Sequence, residues 1–257
     1  EDAIGSVAYL LSKVNAPVYG SRLTIALAKE HLKANPAPHQ VKFFEVTNKS
    51  RMNFKTTYVT FFHTTHSIPD SLGVVFHTSE GAIVHTGEFK FDQSAKGKYR
   101  PDIAKMAALG DEGVFILMSD STEAEKEGYT LSENVVKTRL EKTFHKAEGR
   151  ILVALYASNF IRIQQVFDQA IASGRKVAIV GRSLETIFEV GMRLGYLEID
   201  SEKIIPVNKM SDYEDNEIVA IITGNQGEPL EGLEKIIRKH HRDLRIKQND
   251  TVLITFT

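Results

Sequence analysis

His66 and Glu88 are the residues whose types and positions most strongly suggest chemistry in this sequence. They flank two apolar runs, 74–78 and 82–85, which a short polar connection ending in Gly81 joins. This pattern predicts a β-hairpin, with His66 just before its first strand and Glu88 just after its second strand. Both side chains would then lie at one edge of a sheet, where metal ligands from distant parts of a sequence can meet. A solvated histidine beside a turn carboxylate is the alternative interpretation.

The composition limits the classes of protein and of site. The chain has 257 residues, of which 42% are hydrophobic and 25% charged, so it has enough material for one large or two modest globular domains. It contains no cysteine, which excludes disulfides and thiolate-bound zinc and leaves histidines and carboxylates as the strong metal ligands. With 32 basic and 33 acidic residues there is no general basic excess, so any contact with RNA must be local. Without a secretion signal or an apolar run of ~20 residues, we expect a cytoplasmic protein with no membrane partner.

The first half of the chain contains further predicted elements. Apolar residues at helical spacing predict helices over residues 4–13 and 21–33, and alternation predicts strands over 41–46 and 56–62. The apolar run 114–118 is predicted to be a buried strand that ends at a polar loop.

From residue 128 onward, strand-like and helical patterns alternate. The apolar runs are 151–156, 176–180, 217–223 and 251–256, and the helical patterns cover about 132–146, 160–173, 183–194 and 230–240. This alternation predicts βαβ units and a parallel sheet, which binds ligands outside the carboxyl ends of its strands. Polar and glycine-containing loops fall at three of those ends, which predicts a crevice suited to phosphate. The alternative interpretation is that these three loops only cap the helices that follow them and bind no ligand.

Several motifs, in their order along the chain, resemble those of the ribonuclease J family, which belongs to the β-CASP branch of the metallo-β-lactamase fold. They are His66-Ser67-Ile68-Pro69-Asp70, His85-Thr86-Gly87-Glu88, Ser119-Asp120-Ser121-Thr122, Ala157-Ser158-Asn159, Gly181-Arg182-Ser183 and Thr223-Gly224-Asn225-Gln226-Gly227-Glu228-Pro229.

The resemblance implies an α/β fold with two domains. Residues 1–127 would form a partial metallo-β-lactamase αββα sandwich without its N-terminal strands. Residues 128–257 would form an inserted β-CASP domain, a parallel sheet flanked by helices, without its C-terminal end and the return to the lactamase domain. We therefore expect the sequence to be an inactive fragment of a longer protein.

The resemblance also implies a metal site that is weaker than usual. Its ligands would be Asp2, His66 and Glu88, its catalytic residues Asp2, His66 and Asp120, and its metal zinc or manganese. Ala3 stands where the family has a histidine, and Glu88 stands where it has an aspartate. The extra methylene of Glu88 would displace the carboxylate by about 1 Å, and such an error can cost ~10²-fold in rate.

The function implied by the resemblance is RNA processing and decay in the cytoplasm. The protein would act on 5′-monophosphorylated RNA in the 5′-to-3′ direction and sometimes cut internally, with the low activity of a second ribonuclease J paralogue. It would form homo-oligomers and a complex with an active paralogue. The expected RNA-binding residues are Ser158, Asn159, Arg162, Arg182, Ser183, Thr223, Gly224, Gln226 and Gly227.

Three alternatives remain open. The protein could be a catalytically inert RNA-binding or structural partner of an active ribonuclease J. A small-molecule hydrolase on the lactamase scaffold would not need the α/β unit after residue 128. A nucleotide-binding α/β protein would not explain His66 and Glu88, and the sequence has no Gly-x-x-x-x-Gly-Lys-Ser/Thr loop.

Overall fold

The computed structural model describes residues 2–224 and 229–255, except for the side chains of Asp2, Ala3 and Pro229. The described chain divides into two compact units, Asp2–Glu133 and the residues from Asn134 onward. This division follows Glu133, whereas the sequence places the boundary between the two domains after Glu127. The predicted domain boundary stays a prediction. Among the described residues, no helix has the length and apolar character that crossing a lipid bilayer requires.

The first unit contains a mixed five-stranded sheet and a small parallel pair of strands. In chain order its elements are α1 (Asp2–Gly5), α2 (Val7–Lys13), β1 (Val18–Gly20), α3 (Arg22–Ala34), β2 (Phe43–Glu45), β3 (Arg51–Phe54), β4 (Thr57–His63), β5 (Leu72–Thr78), β6 (Gly81–His85), a 3₁₀ turn (Gly97–Tyr99), α4 (Ile103–Glu112) and β7 (Val114–Met118). The five-stranded sheet has the order β3-β4-β5-β6-β7, and all its neighbours are antiparallel except β6 and β7. Strands β1 and β2 form the parallel pair.

The predicted hairpin is confirmed as β5 and β6, paired from Val74 opposite His85 to Thr78 opposite Gly81. Alternate residues of the hairpin point to opposite faces of the sheet, as the period of two in a strand requires. On one face, Val75 and Val84 are buried in an apolar cluster against which Met106 of α4 packs. The hairpin therefore holds its two ends, and the polar residues beyond them, at one sheet edge.

Strand β7 corrects one prediction from the sequence. Residues 114–118 do form a strand, but all five side chains are exposed, from 38% for Val114 to 62% for Phe115 and Leu117. The expected burial is wrong, because side chains on both faces of β7 are open to solvent. Strand β7 is also the last strand of its sheet. Among the described residues it pairs only with β6.

The second unit confirms the predicted α/β class, with a parallel sheet flanked by helices. Its elements are α5 (Glu133–Lys146, which begins at the last residue of the first unit), β8 (Ile151–Ala154), α6 (Phe160–Ala172), β9 (Lys176–Val180), α7 (Arg182–Arg193), β10 (Ile204–Ile205), β11 (Ile218–Ile222), α8 (Pro229–Ile237), β12 (Thr251–Ile254) and 3₁₀ turns at Ser201–Lys203, Val207–Asp212 and Asp215–Glu217. The strand order is β10-β9-β11-β8-β12, and every pair is parallel. Strand β10, with only two residues, has no signal in the sequence.

The core of this unit lies around its central strands. Every residue of β8 and of β11 is buried, which matches their continuous apolar sequences and is typical of parallel strands covered on both faces. Helices α6, α7 and α8 pack against the sheet. Helix α6 begins where the Asn159 side chain accepts a hydrogen bond from the Arg162 N–H, and α7 begins directly after Gly181. The loops that precede α6 and α7 thus lie at carboxyl ends of the sheet.

Candidate functional site

The first candidate site lies at the edge where the β5–β6 hairpin ends. His66 and Glu88 approach each other there, with His66 Nε2 3.1 Å from Glu88 Oε2. An isolated antiparallel bridge between Thr65 and Lys90 holds the two segments together, with the Lys90 N–H donating to the Thr65 carbonyl at 2.8 Å. The sequence prediction that His66 and Glu88 share an edge is therefore confirmed.

A tight turn after β6 directs Glu88 toward this edge. Gly87 has φ +65°, a left-handed conformation that glycine adopts without a steric penalty, and its N–H donates to Nδ1 of His85 at 3.1 Å. A side chain at Gly87 would also approach the Leu72 carbonyl oxygen, since an added Cβ would lie 3.3 Å from it. The turn therefore requires the glycine of the His85-Thr86-Gly87-Glu88 motif.

Asp120 joins the same edge from the end of β7. The Asp120 N–H donates to Thr86 Oγ1 at 3.0 Å, and its carboxylate accepts from the N–H and hydroxyl of Thr122 at 2.9 and 2.6 Å. These hydrogen bonds from Thr122, together with one from the Phe89 N–H, lower the pKa of Asp120. The carboxylate is thus held as an anion next to the loop that carries Glu88.

The imidazole of His66 experiences opposing electrostatic effects. Burial lowers the pKa of His66, while the carboxylates of Glu88 and Asp120 act to raise it and Lys90 acts to lower it. The net shift is downward, so the ring is held in its neutral form, which is the form that binds metals. His66 is 31% exposed and Glu88 51%, so both remain accessible from solvent.

The donors at this edge do not by themselves fit a metal centre. Among the described side chains, no group of three or more histidines, aspartates and glutamates is arranged to hold one ion. His66 and Glu88 supply two donors, whereas a catalytic zinc site has three protein ligands. Asp2 is the first residue of α1, and its side chain lies outside the described part of the chain. The assignment of Asp2, His66 and Glu88 as ligands stays a prediction.

The second candidate site lies within the second unit, where β9 and β11 end. A cavity of about 180 Å³, here called the small cavity, opens between these strand ends and α8. It brings together residues that the sequence places in two separate loops, Gly181-Arg182-Ser183 and Thr223-Gly224. The lining residues are Val180, Gly181, Arg182, Ser183, Thr223, Gly224, Gly232, Lys235 and His241.

Two glycines make the small cavity possible. A Cβ added at Gly181, where φ is +128°, would lie 2.8 Å from the Thr223 carbonyl oxygen. A Cβ added at Gly232 would lie 2.6 Å from the same oxygen. Both positions therefore exclude larger residues, because the Thr223 carbonyl at the end of β11 lies at backbone distance from Gly181 after β9 and from Gly232 in α8.

Thr223 gives the small cavity its polar interior. Its side chain is only 3% exposed, and Oγ1 has no hydrogen-bond partner among the described residues. A buried hydroxyl is unfavourable until it is hydrogen-bonded, so Thr223 Oγ1 has a hydrogen-bonding capacity that no described residue uses. Arg182 is exposed beside it, and Lys235 lines the same space with Nζ 2.7 Å from Glu231 Oε1.

Other residues expected to bind RNA lie apart from the small cavity. Asn159 caps α6 with its side chain, and Ser158 precedes it in the same loop. Arg162 is 5% exposed in the first turn of α6, and its assignment as an RNA-binding residue stays a prediction. The burial follows from its position on a helix face packed into the core. Gln226 and Gly227 lie outside the described residues.

Lys235 and His241 line the small cavity but are not among the predicted RNA-binding residues. The sequence places both in the basic run from Lys235 to Lys247, which is most simply interpreted as a solvated face. The basic run was the sequence feature that could have indicated these two residues. Its pattern, however, does not distinguish the residues that line the small cavity from those that face solvent.

Comparison with known proteins shows the family. Residues 148–257 match the family model described as Ribonuclease J, beta-CASP domain. Over its full 257 residues the chain is 52% identical to Ribonuclease J 2 of Staphylococcus saprophyticus, and 51% identical to Ribonuclease J 2 of Staphylococcus epidermidis and of Staphylococcus aureus. The chain belongs to the ribonuclease J family. It spans 46% of the length of each of these ribonuclease J relatives.

A solved structure shares the fold at low sequence identity. A crystal structure of a protein of unknown function from Enterococcus faecalis V583 matches with a TM-score of 0.64 at 10% identity, covering 93% of this chain and 64% of that chain. Such a match concerns the fold alone. The ribonuclease J match over residues 148–257, by contrast, includes every residue that lines the small cavity.

Proposed function

We propose that this chain is part of a ribonuclease J-type protein of RNA processing and decay, and that its small cavity binds a phosphate group of RNA. The observation that carries the proposal is the meeting of Gly181, Arg182 and Ser183 with Thr223 and Gly224 around one cavity. The similarity to proteins named Ribonuclease J 2 supports RNA as the polymer.

The chemistry of the small cavity suits a phosphate. The N-terminus of α7 presents backbone N–H groups without intrahelical partners, and the helix dipole favours an anion there. Arg182 adds positive charge, and Lys235 adds an ammonium group whose charge Glu231 partly neutralises. The Thr223 hydroxyl has a hydrogen-bonding capacity that no described residue uses. Phosphate binding at one local cavity is also compatible with a net charge of −1 for the whole chain.

For the whole protein we propose weak ribonuclease activity on 5′-monophosphorylated RNA, combining 5′-to-3′ exonuclease and endonuclease action. The meeting of His66, Glu88 and Asp120 at one sheet edge supports a hydrolytic site, with zinc or manganese as the expected metal. The departures from the family pattern at Ala3 and Glu88 support weak activity. A cytoplasmic location, homo-oligomers and a complex with an active paralogue belong to the same proposal and rest on the resemblance to the family.

The second candidate function is that of an inert RNA-binding partner of an active ribonuclease J. One specific observation favours it: the small cavity is lined by residues of the second unit alone, so phosphate binding there needs no metal donor. The two candidates differ in whether the protein cleaves RNA, and they share the phosphate site.

The decisive experiment uses the intact protein without its paralogue. Cleavage of end-labelled 5′-monophosphate RNA is measured with manganese, with a chelator, and with the His66→Ala variant. Metal-dependent shortening that His66→Ala abolishes would support the weak enzyme. No cleavage by the wild type would contradict the weak enzyme and favour the inert partner. Metal-dependent cleavage that His66→Ala leaves unchanged would contradict the assignment of His66 to the site.

The phosphate site is tested separately by RNA binding. Arg182→Ala should weaken binding of a 5′-monophosphorylated oligoribonucleotide by about tenfold or more, as expected for the loss of a hydrogen bond to a charged group. Arg193→Ala, at the other end of α7, removes the same charge away from the cavity and should leave affinity nearly unchanged. Equal losses in both variants would contradict a specific phosphate site.

A further inference from the structure

His241 is held in place by the turn that follows α8. Lys239 has φ +60°, so the chain turns there in a left-handed conformation, as is common where helices end. The N–H groups of His240 and His241 both donate to the Lys235 carbonyl, at 2.8 and 3.1 Å. A few residues later, Leu244 is fully buried in the core of the second unit. The backbone of His241 is therefore fixed on both sides.

The ring of His241 is oriented by its own hydrogen bonds. Its Nδ1 accepts from the N–H groups of Asp243 and Leu244, at 3.3 and 3.1 Å. A nitrogen that accepts from backbone N–H groups carries no proton, so the neutral ring carries its proton on Nε2. Burial lowers the pKa of His241, against the effect of Asp243 and together with that of Arg245, and this also favours the neutral ring.

This ring lies where two spaces meet. His241 lines the small cavity and also a larger groove of about 790 Å³ that continues along β10 and the turn after it. Val180, Gly181 and Arg182 line both spaces as well. The Nδ1 side of the ring is used by the backbone, which leaves Nε2–H as its only available donor. His241 therefore offers a fixed, uncharged donor beside the charged Arg182.

We propose that His241 is an RNA-binding residue whose Nε2–H donates to the phosphate in the small cavity. This inference rests on the proposed phosphate site and extends it to a residue outside the family-like motifs. The role of His241 is to orient the phosphate, because a neutral donor with a fixed direction selects the position of one phosphate oxygen. Arg182 and Lys235 supply the positive charge. The same ring, by accepting from Asp243 and Leu244, couples the cavity wall to the buried core.

Two substitutions distinguish the acceptor role of Nδ1 from the donor role of Nε2. In His241→Asn the side-chain oxygen can take over the acceptor role of Nδ1, but the donor at the Nε2 position is lost. In His241→Ala both are lost. His240→Ala removes the exposed neighbouring imidazole and serves as the matched control. Binding of inorganic phosphate and of a 5′-monophosphorylated oligoribonucleotide is measured for the whole chain, together with thermal unfolding.

We expect His241→Asn to keep the unfolding temperature and weaken phosphate and RNA binding by about threefold to tenfold, as for the loss of one neutral hydrogen bond. His240→Ala should match the wild type in both measurements. If the wild type binds and His241→Asn binds equally well, the inference about His241 is overturned while the phosphate site stands. If the wild type binds neither probe, both are overturned.

A second measurement on the wild type does not depend on any variant folding. Long-range proton–nitrogen NMR spectra report which ring nitrogen carries the proton. We expect Nε2 protonated and Nδ1 unprotonated in His241, with the Nε2 resonance shifting when inorganic phosphate is added. A proton on Nδ1, or an Nε2 resonance that phosphate does not move while it binds elsewhere, would overturn the inference.

Discussion

The imidazole Nε2 of His66 lies 3.1 Å from the carboxylate Oε2 of Glu88, although a complete β-hairpin separates the two residues in the chain. If a divalent ion binds at this edge, His66 is one of two described donors for it. His66→Ala in the intact protein should therefore weaken Mn²⁺ or Zn²⁺ binding at least about tenfold, measured by calorimetric titration. His63→Ala, which removes a neighbouring histidine outside the pair, should leave metal affinity unchanged. Equal affinities for the wild type and His66→Ala would contradict the assignment.

The backbones of Gly232 and Thr223 lie so close together at the small cavity that even one added methyl group at Gly232 should lower the stability of the protein. Gly232→Ala places a Cβ 2.6 Å from the Thr223 carbonyl, so we expect the free energy of unfolding to fall by about 1–3 kcal/mol in urea denaturation. Gly110→Ala is the matched control, because it also adds a methyl group to a helix, α4, but with no atom within 4 Å of it. That variant should be neutral or more stable by up to about 1 kcal/mol. A Gly232→Ala protein as stable as Gly110→Ala would contradict the close approach.

The ion pair between Arg150 and Asp250 is buried, with side-chain exposures of 6% and 2%. Asp250 accepts from Arg150 Nε and Nη2, at 2.8 and 2.6 Å, and from the Lys247 N–H at 2.7 Å. Asp250→Ala leaves the guanidinium buried without its anion, so we expect a loss of about 3–5 kcal/mol in the free energy of unfolding.

The exposed pair between Lys247 and Asp215 provides the comparison for Asp250→Ala. Asp215→Ala breaks an ion pair that water already screens, and it should cost less than about 1 kcal/mol in the same urea denaturation. Comparable losses in the two variants would show that burial does not determine the strength of these pairs.

His77 makes the stability of the first unit depend on pH. Its ring stacks on Tyr58 with centroids 4.1 Å apart, and its Nε2 is 2.8 Å from Thr60 Oγ1. Burial lowers the pKa of His77, with Arg51 acting in the same direction and Glu112 against it. The folded protein thus binds this proton less readily than the unfolded chain does. The stabilising contribution is complete above the unfolded pKa of about 6.5 and is lost as the pH falls through the lower folded pKa.

The His77→Phe variant tests this dependence because it keeps an aromatic ring and removes the titration. Urea denaturation of the wild type and of His77→Phe is compared at about pH 7.5 and about pH 5. The wild type should lose more stability than the variant between the two conditions. Parallel losses in both proteins would show that His77 does not contribute to the pH dependence.

Much of the fold follows from local patterns in the sequence. The β5–β6 hairpin and the parallel sheet of the second unit were predictable because strand and helix periodicities repeat over each element. The meeting of His66 and Glu88 was predictable because a hairpin brings its own two ends together. Strand β10 was not predictable, because two residues are too few for any period.

Burial and cavities were predicted less well because they depend on distant packing. The apolar run of β7 has the sequence of a buried strand, but burial of its side chains depends on which distant segments pack against its two faces. Arg162 is expected from the sequence to bind RNA, and only the packing of α6 shows that its side chain is buried. Lys235 and His241 reach the small cavity through the position of α8, which no local pattern reports.

Strand β7 has a practical consequence for handling the protein. In the part of the chain that the structure describes, the five consecutive apolar residues 114–118 have a strand edge without a partner and exposed side chains on both faces. None of the five carries a charge or is proline. This combination is what templates intermolecular strand addition and cross-β aggregation. We therefore expect preparations of these 257 residues to self-associate with rising concentration, and we expect Phe115→Lys or Leu117→Lys to reduce that association.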